Sequence, residues 1–289
     1  MGRSLGAALQ WGRERLRATP TETPALDGEL LMAHATGLTR AGLLAHPDAP
    51  LRSAEDAAFS ALIERRARGE PVAYIVGKKE FYGLGLRVDR RVLIPRPETE
   101  TLVERALELV PPGEDGWVVA DVGTGSGAIA LAVAAHRPGA RVYATDSSAE
   151  ALDVARDNAA RALGDGWEQR VRFIRFTHGP LLADVPERVD VLCANLPYIP
   201  SAEVATLPVS VREYEPWPAL DGGTDGLDAY RALLADAPQR LTARGAVLME
   251  CDPRQADALL ALALGALPGG LGQIVRDLAG EARVVEVRR

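Results

Sequence analysis

The chain has 289 residues, enough for two domains of ordinary size, and its 47% hydrophobic and 25% charged residues exclude a disordered protein. Its 33 basic and 40 acidic side chains give a net charge of −7, which argues against a surface that binds a nucleic-acid backbone throughout. Two cysteines and four scattered histidines exclude a disulfide framework and predict no metal site. The sequence shows neither a signal peptide nor an apolar run of about 18 residues, so a soluble cytoplasmic protein without membrane contact is predicted.

Residues 1–70 are predicted to form a domain of short helices. Thr23 and Pro24 are typical of an N-cap with proline at the first helical position, and Ser53 opens a second amphipathic run that ends at Gly69. Residues 1–90 hold 13 basic and 11 acidic side chains (+2), whereas the remainder holds 20 and 29 (−9). Because the helical region carries no catalytic constellation, we expect it to pack or to bind.

Residues 71–95 have the composition of a β-hairpin linker. Val72–Val76 and Leu84–Ile94 are rich in strand-forming residues, and the glycines between them favour a turn. Pro95–Pro97 then forms a stiff joint, because each proline fixes its own φ angle. A helix with acidic residues in its first turn is predicted directly after this joint.

Residues 96–289 alternate predicted strands with predicted helices. The strands are Val118–Val122, Arg141–Thr145, Val171–Ile174, Val189–Ala194 and Ala246–Glu250, followed by a closing pair near Ile274 and at Val284–Val287. The helices are Ala128–Ala135, Ser148–Leu163, Leu227–Leu241 and Gln255–Leu264. This alternation predicts an α/β domain with a doubly wound, mostly parallel, Rossmann-like sheet, and the closing pair predicts an antiparallel edge.

A glycine-rich loop follows the first strand of this domain. The predicted cofactor-binding residues in it are Gly123, Thr124, Gly125, Ser126 and Gly127. Glycines at such a turn let the backbone approach a ligand closely. Asp146 lies 19 residues after Gly127, at the end of the next strand, where a carboxylate can accept hydrogen bonds from ribose hydroxyls. This motif alone leaves NAD and S-adenosylmethionine both open.

A tetrad, Asn195-Leu196-Pro197-Tyr198, ends the strand Val189–Ala194. Ligands bind at this edge of a parallel sheet. The Asn195 side-chain oxygen and the Leu196 carbonyl supply two acceptors that can hold a planar NH2 group with its nitrogen lone pair toward an electrophilic methyl. Pro197 favours an extended Leu196, and the Tyr198 ring can stack on the planar group. This chemistry favours S-adenosylmethionine, with Asn195, Pro197 and Tyr198 as catalytic residues and the whole tetrad as the substrate site. Asn195 is also predicted to contribute to cofactor binding.

The two motifs together resemble those of the class I S-adenosylmethionine-dependent amino-methyltransferases, and other segments resemble the release-factor glutamine N5-methyltransferases (the PrmC/HemK type). These segments are Gly69–Ile75, Glu80–Gly83, Leu93–Glu100, Ala219–Gly223 and Arg276–Gly280. The resemblance covers nearly the whole chain. It implies methylation of the glutamine amide in the Gly-Gly-Gln loop of peptide-chain release factors, with S-adenosyl-L-methionine as cofactor and no direct nucleic-acid partner. It also implies that 1–70 is a substrate-recognition domain and 96–289 the methyltransferase domain.

The chain departs from the family pattern at three places. Leu196 stands where the family usually has proline, although its backbone carbonyl can still serve as the acceptor. Thr177 and His178 lie in the loop where the family usually contacts adenine, and Glu250–Asp252 replaces a more usual Glu-Ile-Gly.

Three alternative functions remain open at this stage. The sequence distinguishes only weakly between a release-factor and a ribosomal-protein glutamine methyltransferase. A nucleic-acid adenine N6-methyltransferase would use the same tetrad, but the negative net charge of the chain argues against a nucleic-acid substrate. A non-catalytic S-adenosylmethionine-binding module would not need the tetrad. The oligomeric state is not determined by the sequence.

Several residues near the motifs have structural explanations that compete with functional ones. Arg96 could position a carboxylate or form a structural salt bridge, and His178 could touch adenine or lie exposed. Glu98 and Glu100 could be an acid pair, but a helix N-terminus explains them. Cys193 is predicted to be a small buried hydrophobic residue.

Overall fold

The computed structural model describes residues 3–176 and 181–289. The helices, in chain order, are α1 (Leu5–Arg17), α2 (Pro24–Thr36), α3 (Arg40–Ala45), α4 (Ser53–Ala67), α5 (Val72–Val76), α6 (Glu100–Leu109), α7 (Ala128–His136), α8 (Ala149–Leu163), α9 (Ser201–Val204), α10 (Val209–Arg212), α11 (Asp228–Arg240) and α12 (Ala256–Ala266). The strands are β1 (Lys78–Phe81), β2 (Leu84–Arg87), β3 (Val118–Val122), β4 (Arg141–Asp146), β5 (Val171–Arg175), β6 (Val189–Ala194), β7 (Leu241–Glu250), β8 (Leu271–Arg276) and β9 (Ala282–Arg288).

The chain divides into two compact units. The first comprises the residues up to Lys78 together with Pro208–Tyr214, and the second comprises Lys79–Leu207 and Glu215–Arg289. The first unit is therefore helical and takes α10 from a later part of the chain. Within it, Val209 packs so close to Gly69 that a Cβ atom at Gly69 would lie 2.7 Å from a Val209 methyl.

The helical unit has its own core. Leu16, Leu31, Phe59 and Ile63 are fully buried there. Helices α1 and α4 approach closely because Gly12 has no side chain, since a Cβ there would lie 2.8 Å from the Phe59 ring. Burial of apolar side chains at about 25 cal/mol per Å² is the main force that holds such a unit together.

One predicted strand is wrong. Val72–Val76 is the short helix α5, although four of its five residues are strong strand formers. Pro71 precedes the helix with φ −60°, and Gly77 ends it in the left-handed conformation with φ 75°. Burial of Tyr74 and Ile75 in the helical unit outweighs the weak intrinsic preference of β-branched residues.

The hairpin is real but shorter than the sequence predicts. It consists of β1 and β2, and no strand extends from Arg87 to Ile94 within the described residues. Tyr82 and Gly83 at its turn both have positive φ, 47° and 76°, as a two-residue turn between twisted strands requires. The Glu100 carboxylate accepts the backbone N–H of Tyr82 at 2.9 Å and stabilises this turn.

The second unit is built on one sheet, as predicted. Within the described residues its seven strands follow the order β5-β4-β3-β6-β7-β9-β8. The strands from β5 to β7 are parallel, and β9 is antiparallel to both β7 and β8. The predicted α/β class, the mostly parallel sheet and the antiparallel edge are confirmed.

Helices cover both faces of this sheet. Leu233 on α11 and Leu259 on α12 pack with β6 and β7 in one core, and Val103 on α6 and Leu131 on α7 pack in the other. Strand β6 is buried at every residue, which is typical of a parallel strand between two helical layers. Within residues 3–176 and 181–289, no helix combines the length and the apolarity that crossing a membrane requires.

Candidate active site

The carboxyl ends of three neighbouring strands form the candidate site. β3 lies between β4 and β6, and Val122 pairs with Thr145 on one side and with Ala194 on the other. The next residues along the chain are Gly123, Asp146 and Asn195. The strand order therefore brings the glycine loop, the predicted ribose acceptor and the tetrad to one edge of the sheet, where parallel sheets bind ligands.

The glycine loop is held in one conformation by backbone hydrogen bonds. Gly123, Gly125 and Gly127 all have positive φ, at 73°, 55° and 84°. The N–H groups of Gly123 and Thr124 both donate to the Thr145 carbonyl at 2.9 Å. A Cβ at Gly125 would meet no atom of the described residues within 4 Å, so this glycine borders open space in the described part of the chain. The loop therefore has the shape of a cradle that a ligand can enter.

A buried asparagine ties this loop to the hairpin. The Asn158 side-chain NH2 donates to the Ser126 carbonyl at 2.9 Å and to the Arg87 carbonyl at 3.0 Å. Its side-chain oxygen accepts the Arg87 N–H at 2.7 Å. Asn158 thus uses all its main hydrogen-bonding groups to position β2 against the loop, a role that sequence reasoning missed.

Asp146 faces the same loop. One carboxylate oxygen accepts the Gly125 N–H and the other accepts the Ser148 N–H, both at 2.9 Å. Burial raises the pKa of Asp146, and these backbone hydrogen bonds oppose the rise. A carboxylate has about four acceptor positions, so Asp146 can orient the loop and still accept two ribose hydroxyls.

Asp121 is a buried carboxylate beneath the loop. Its Oδ2 accepts from the Thr124 hydroxyl at 2.6 Å and from the Ala130 N–H at 3.1 Å. Its Oδ1 has no hydrogen-bond partner in the described part of the chain. Burial raises the pKa of Asp121 to about 6, against the opposing effect of these two hydrogen bonds.

Replacement of Asp121 by asparagine should change how stability depends on pH. Raising a carboxyl pKa from 3.8 to about 6 costs the folded state about 3 kcal/mol once the group is ionised. The cost is absent below the unfolded-state value of 3.8, grows as pH rises and is complete above about 6. Urea unfolding of the cofactor-free proteins should therefore show the variant gaining about 3 kcal/mol over the wild type across this window. Two curves separated by a constant offset would contradict the assignment.

The tetrad continues directly from β6. The Asn195 side-chain NH2 donates to the Thr99 hydroxyl at 3.1 Å, and among the described residues nothing donates to Asn195 Oδ1. Leu196 is buried against the glycine loop, where a Cβ at Gly123 would lie 2.8 Å from a Leu196 methyl. The loop and the tetrad are thus in direct contact.

Leu196 is fixed through its backbone. Its N–H donates to the fully buried Tyr230 hydroxyl at 3.2 Å. That hydroxyl lies 3.4 Å from the Leu196 carbonyl but much closer to the backbone carbonyl of Glu250. The hydroxyl has one proton, and it donates this proton in a hydrogen bond to the Glu250 carbonyl. The Leu196 carbonyl therefore keeps acceptor capacity for a substrate.

Tyr198 is held at both ends. Its hydroxyl donates to Glu250 Oε1 at 3.4 Å, and its carbonyl accepts from the Gln255 side chain at 2.9 Å. Burial, followed by the nearby charge of Glu250, raises the pKa of Tyr198. Tyr198 is therefore a neutral hydroxyl in the ordinary pH range. The carbonyl of Pro197 packs against Gly222, where a Cβ would lie only 2.6 Å from it.

The structure describes the surroundings of some of the other residues singled out from the sequence. Arg96 forms an ion pair with Glu215, which is buried and also accepts the Ile94 N–H at 3.2 Å. Cys193 is fully buried on β6, as predicted. Thr177 and His178, where an adenine contact is predicted, lie outside the described residues. No group of three or more metal-ligating side chains occurs between residues 3 and 176 or 181 and 289.

Sequence reasoning missed Thr99, Glu250 and Tyr230 as parts of this site. Thr99 lies in the segment Leu93–Glu100, which the resemblance had singled out without giving it a role. Glu250 carries a weak signal, since an acidic residue at the end of an apolar strand is uncommon. Tyr230 lies within a helix that looks ordinary in sequence.

Comparison with known proteins agrees with this architecture. The family model for the PrmC N-terminal domain matches residues 7–77, and the model for the methyltransferase small domain matches residues 100–208. A solved structure of a methyltransferase from Pyrococcus furiosus superimposes with a TM-score of 0.53 at 19% identity, covering 78% of this chain and 97% of that one. At this identity the likeness concerns the fold alone.

Two curated relatives are similar over the full length. The release factor glutamine methyltransferase of Bradyrhizobium diazoefficiens is 41% identical, and the alignment covers 100% of this chain and 96% of the relative. The protein of the same name from Moorella thermoacetica is 44% identical over 97% of this chain and 96% of its own. Similarity at this level extends through both compact units.

Proposed function

The chain belongs to the release factor glutamine methyltransferases, and from that membership we propose which of its residues hold the cofactor, the glutamine amide and the protein substrate. It is an S-adenosylmethionine-dependent protein-(glutamine-N5) methyltransferase. Its substrate is the glutamine of the Gly-Gly-Gln loop in peptide-chain release factors. The observation that carries the proposal is that no described residue donates to Asn195 Oδ1, which lies beside a glycine loop that is open to a ligand.

The glycine loop and Asp146 fit S-adenosylmethionine. In the loop Gly123–Gly127 the backbone is open to a ligand at Gly125, where a Cβ would meet no atom of the described residues within 4 Å. Asp146 would accept the ribose hydroxyls, and its hydrogen bond from Gly125 sets its position relative to the loop. The cofactor supplies an electrophilic methyl group.

The tetrad holds and orients the glutamine amide. Asn195 Oδ1 and the Leu196 carbonyl each accept one hydrogen of its NH2 group. An amide nitrogen is a poor nucleophile because its lone pair is delocalised into the carbonyl. Holding both hydrogens fixes the direction in which that lone pair points, and such orientation accounts for much of the rate in reactions between two bound groups. Pro197 and the Tyr198 ring confine the planar group from the sides.

No protein base is needed for the final proton transfer. The nitrogen becomes strongly acidic once it carries the methyl group, and its proton can pass to water. Tyr198 is neutral and already donates to Glu250, and Glu250 is buried behind it. The chain's own contribution is therefore binding, orientation and exclusion of competing geometries.

A single comparative experiment tests the substrate. Purified protein is incubated with methyl-labelled S-adenosylmethionine and, separately, with release factor, ribosomal protein and RNA. We expect label only in the release factor. A release factor in which glutamate replaces the Gly-Gly-Gln glutamine is the matched control and should stay unlabelled. Preferred labelling of ribosomal protein, or of adenine in RNA, would replace this proposal by one of those substrates.

The helical domain is the part that we propose to recognise the protein substrate. Every cofactor and tetrad residue lies after residue 120, so deletion of residues 1–78 leaves all of them in place. The deletion must spare the hairpin from Lys79 onward, because Phe81 and Leu86 are buried in the core of the second unit.

A chain that begins at Lys79 should bind S-adenosylmethionine with near wild-type affinity and methylate intact release factor at least tenfold more slowly. The slower rate follows from the loss of remote binding energy that positions the substrate. Calorimetric cofactor binding shows whether the shortened chain is folded. Full activity on intact release factor in a chain that binds cofactor would contradict the proposed role.

A further inference from the structure

A single buried hydroxyl contacts the backbone of the tetrad from inside the second unit. Tyr230 lies on α11, and its side chain is fully buried in the same core as Leu196. Its hydroxyl accepts the Leu196 N–H at 3.2 Å and donates to the backbone carbonyl of Glu250. Glu250 is the last residue of β7, and Leu196 follows the end of the neighbouring strand β6. The hydroxyl thus connects the backbones at the carboxyl ends of these two strands.

The Tyr230 hydroxyl can make both of these contacts at once. A tyrosine hydroxyl carries one proton and also accepts hydrogen bonds through its oxygen. Burial raises the pKa of Tyr230 well above its ordinary value, so the hydroxyl keeps this proton. Because the proton is donated to the Glu250 carbonyl, Tyr230 holds Leu196 through the N–H and leaves the Leu196 carbonyl available as an acceptor.

The contact depends on the presence of leucine at position 196. A proline there would have no N–H, and its ring would fix the φ angle. Leucine places an N–H in a buried site, where an unpaired donor is unfavourable, and its φ angle is not fixed by a ring. The Tyr230 hydroxyl pairs this N–H and so restricts rotation of the Leu196 backbone. In this chain a side-chain hydroxyl thus supplies a restraint that a proline ring would otherwise supply.

The restraint on the N–H also acts on the Leu196 carbonyl. The Tyr230 oxygen lies 3.2 Å from the Leu196 nitrogen and 3.4 Å from the Leu196 carbonyl oxygen, so both groups lie on the same side of the residue. Rotation that carried the N–H away from Tyr230 would therefore displace the carbonyl as well. A displaced carbonyl would no longer hold the second hydrogen of the glutamine NH2 group, and loss of orientation lowers the rate of a reaction between bound groups.

We infer that Tyr230 is a positioning residue that fixes the Leu196 carbonyl, the second acceptor for the glutamine amide. The inference rests on the proposed role of the tetrad and goes beyond it, because Tyr230 is fully buried on a helix outside both motifs. Its effect on the reaction passes through the Leu196 N–H. The effect should therefore disappear when that N–H is removed.

Tyr230→Phe removes the hydroxyl and keeps the ring. We expect kcat for methylation of release factor to fall about tenfold, while KM for release factor stays within about twofold, because the lost restraint orients the amide and does not bind the protein. Tyr143→Phe is the matched control. Tyr143 is another buried tyrosine, and its hydroxyl donates to Glu187 at 2.7 Å, in the segment that precedes β6. Loss of this hydroxyl should leave kcat unchanged.

A second background separates positioning from stability. In Leu196→Pro the N–H is absent, so Tyr230→Phe can no longer act on the tetrad through it. We expect Tyr230→Phe to change the kcat of Leu196→Pro by less than about twofold. The Glu250 carbonyl loses its donor in both backgrounds, so urea unfolding of the cofactor-free proteins should show Tyr230→Phe lowering stability in both. A hydroxyl with a purely structural role would instead change kcat equally in the two backgrounds.

The outcomes distinguish this inference from the proposed function. Asn195→Ala is measured in the same assay, and the tetrad mechanism fails if this variant is fully active. If Asn195→Ala loses activity while Tyr230→Phe keeps wild-type kcat, or slows both backgrounds equally, the positioning role is wrong and the tetrad mechanism stands. Should Tyr230→Phe alone fail to bind S-adenosylmethionine, the double variant with Leu196→Pro decides. Recovery of cofactor binding and rate in the double variant supports the role, and continued loss overturns it.

Discussion

Replacement of Asn195 by alanine is expected to lower the rate of methyl transfer by on the order of 100-fold or more. The change removes one of the two acceptors, so the glutamine amide can rotate and its nitrogen lone pair no longer points at the methyl group. The cofactor should still bind, because the glycine loop and Asp146 are unchanged. Single-turnover transfer to release factor measures the rate directly, and isothermal titration measures cofactor affinity.

Leu196→Pro is the matched control for this prediction. It keeps the backbone carbonyl that serves as the second acceptor, so the single-turnover rate should stay within several-fold of wild type. It also removes the N–H that donates to the buried Tyr230 hydroxyl, and the loss should cost about 1 kcal/mol of stability. An alanine variant at Asn195 as fast as wild type, or a folded but inactive Leu196→Pro, would show that the two-acceptor account is wrong.

Asp146→Ala should weaken S-adenosylmethionine binding by roughly 10- to 150-fold, which corresponds to the 1.5–3 kcal/mol of hydrogen bonds to a charged acceptor. Two losses contribute. The ribose hydroxyls lose their acceptor, and the Gly125 N–H loses the carboxylate that orients the glycine loop. Isothermal titration with S-adenosylmethionine gives the affinity, and a parallel titration with NAD tests the alternative cofactor.

Asp153→Ala is the control for charge. Asp153 is an exposed acid on α8 that pairs with Arg156 one turn away, and its removal makes the net charge less negative by the same single unit. It should leave the affinity unchanged, because exposed helix pairs contribute little and Asp153 has no contact with the loop. If both variants weakened S-adenosylmethionine binding equally, the cause would be a long-range charge effect. If Asp146→Ala left the affinity unchanged, Asp146 would not be the acceptor for the ribose hydroxyls.

The long elements of the second unit follow from local patterns. The largely apolar runs Val118–Val122 and Val189–Ala194 match the strands in full, because strands buried on both faces consist mostly of apolar residues. In the segment Val72–Val76, by contrast, the local pattern does not decide between strand and helix. Four of its five residues are β-branched or aromatic and fit a strand or a buried helix equally, and only packing in the helical unit selects the helix.

The residues of the site divide in the same way. Gly123–Gly127, Asp146 and the tetrad were predicted from sequence, because each directly follows a strand and a loop in that position carries its own local signal. Thr99 carries no such signal, and Glu250 carries only a weak one. They meet Asn195 and Tyr198 across separations of 96 and 52 residues.

The sequence alone thus determined the class of fold, through its local order, and the family, through the resemblance of its motifs. It also located the two motifs that we propose to face the cofactor and the amide. The tertiary structure alone decided which buried side chains contact the tetrad. The order β3-β6-β7 places Glu250 beside the end of β6, and the start of α6 brings Thr99 against Asn195. Buried polar side chains must find partners wherever the fold places them, and those partners come from distant parts of the chain.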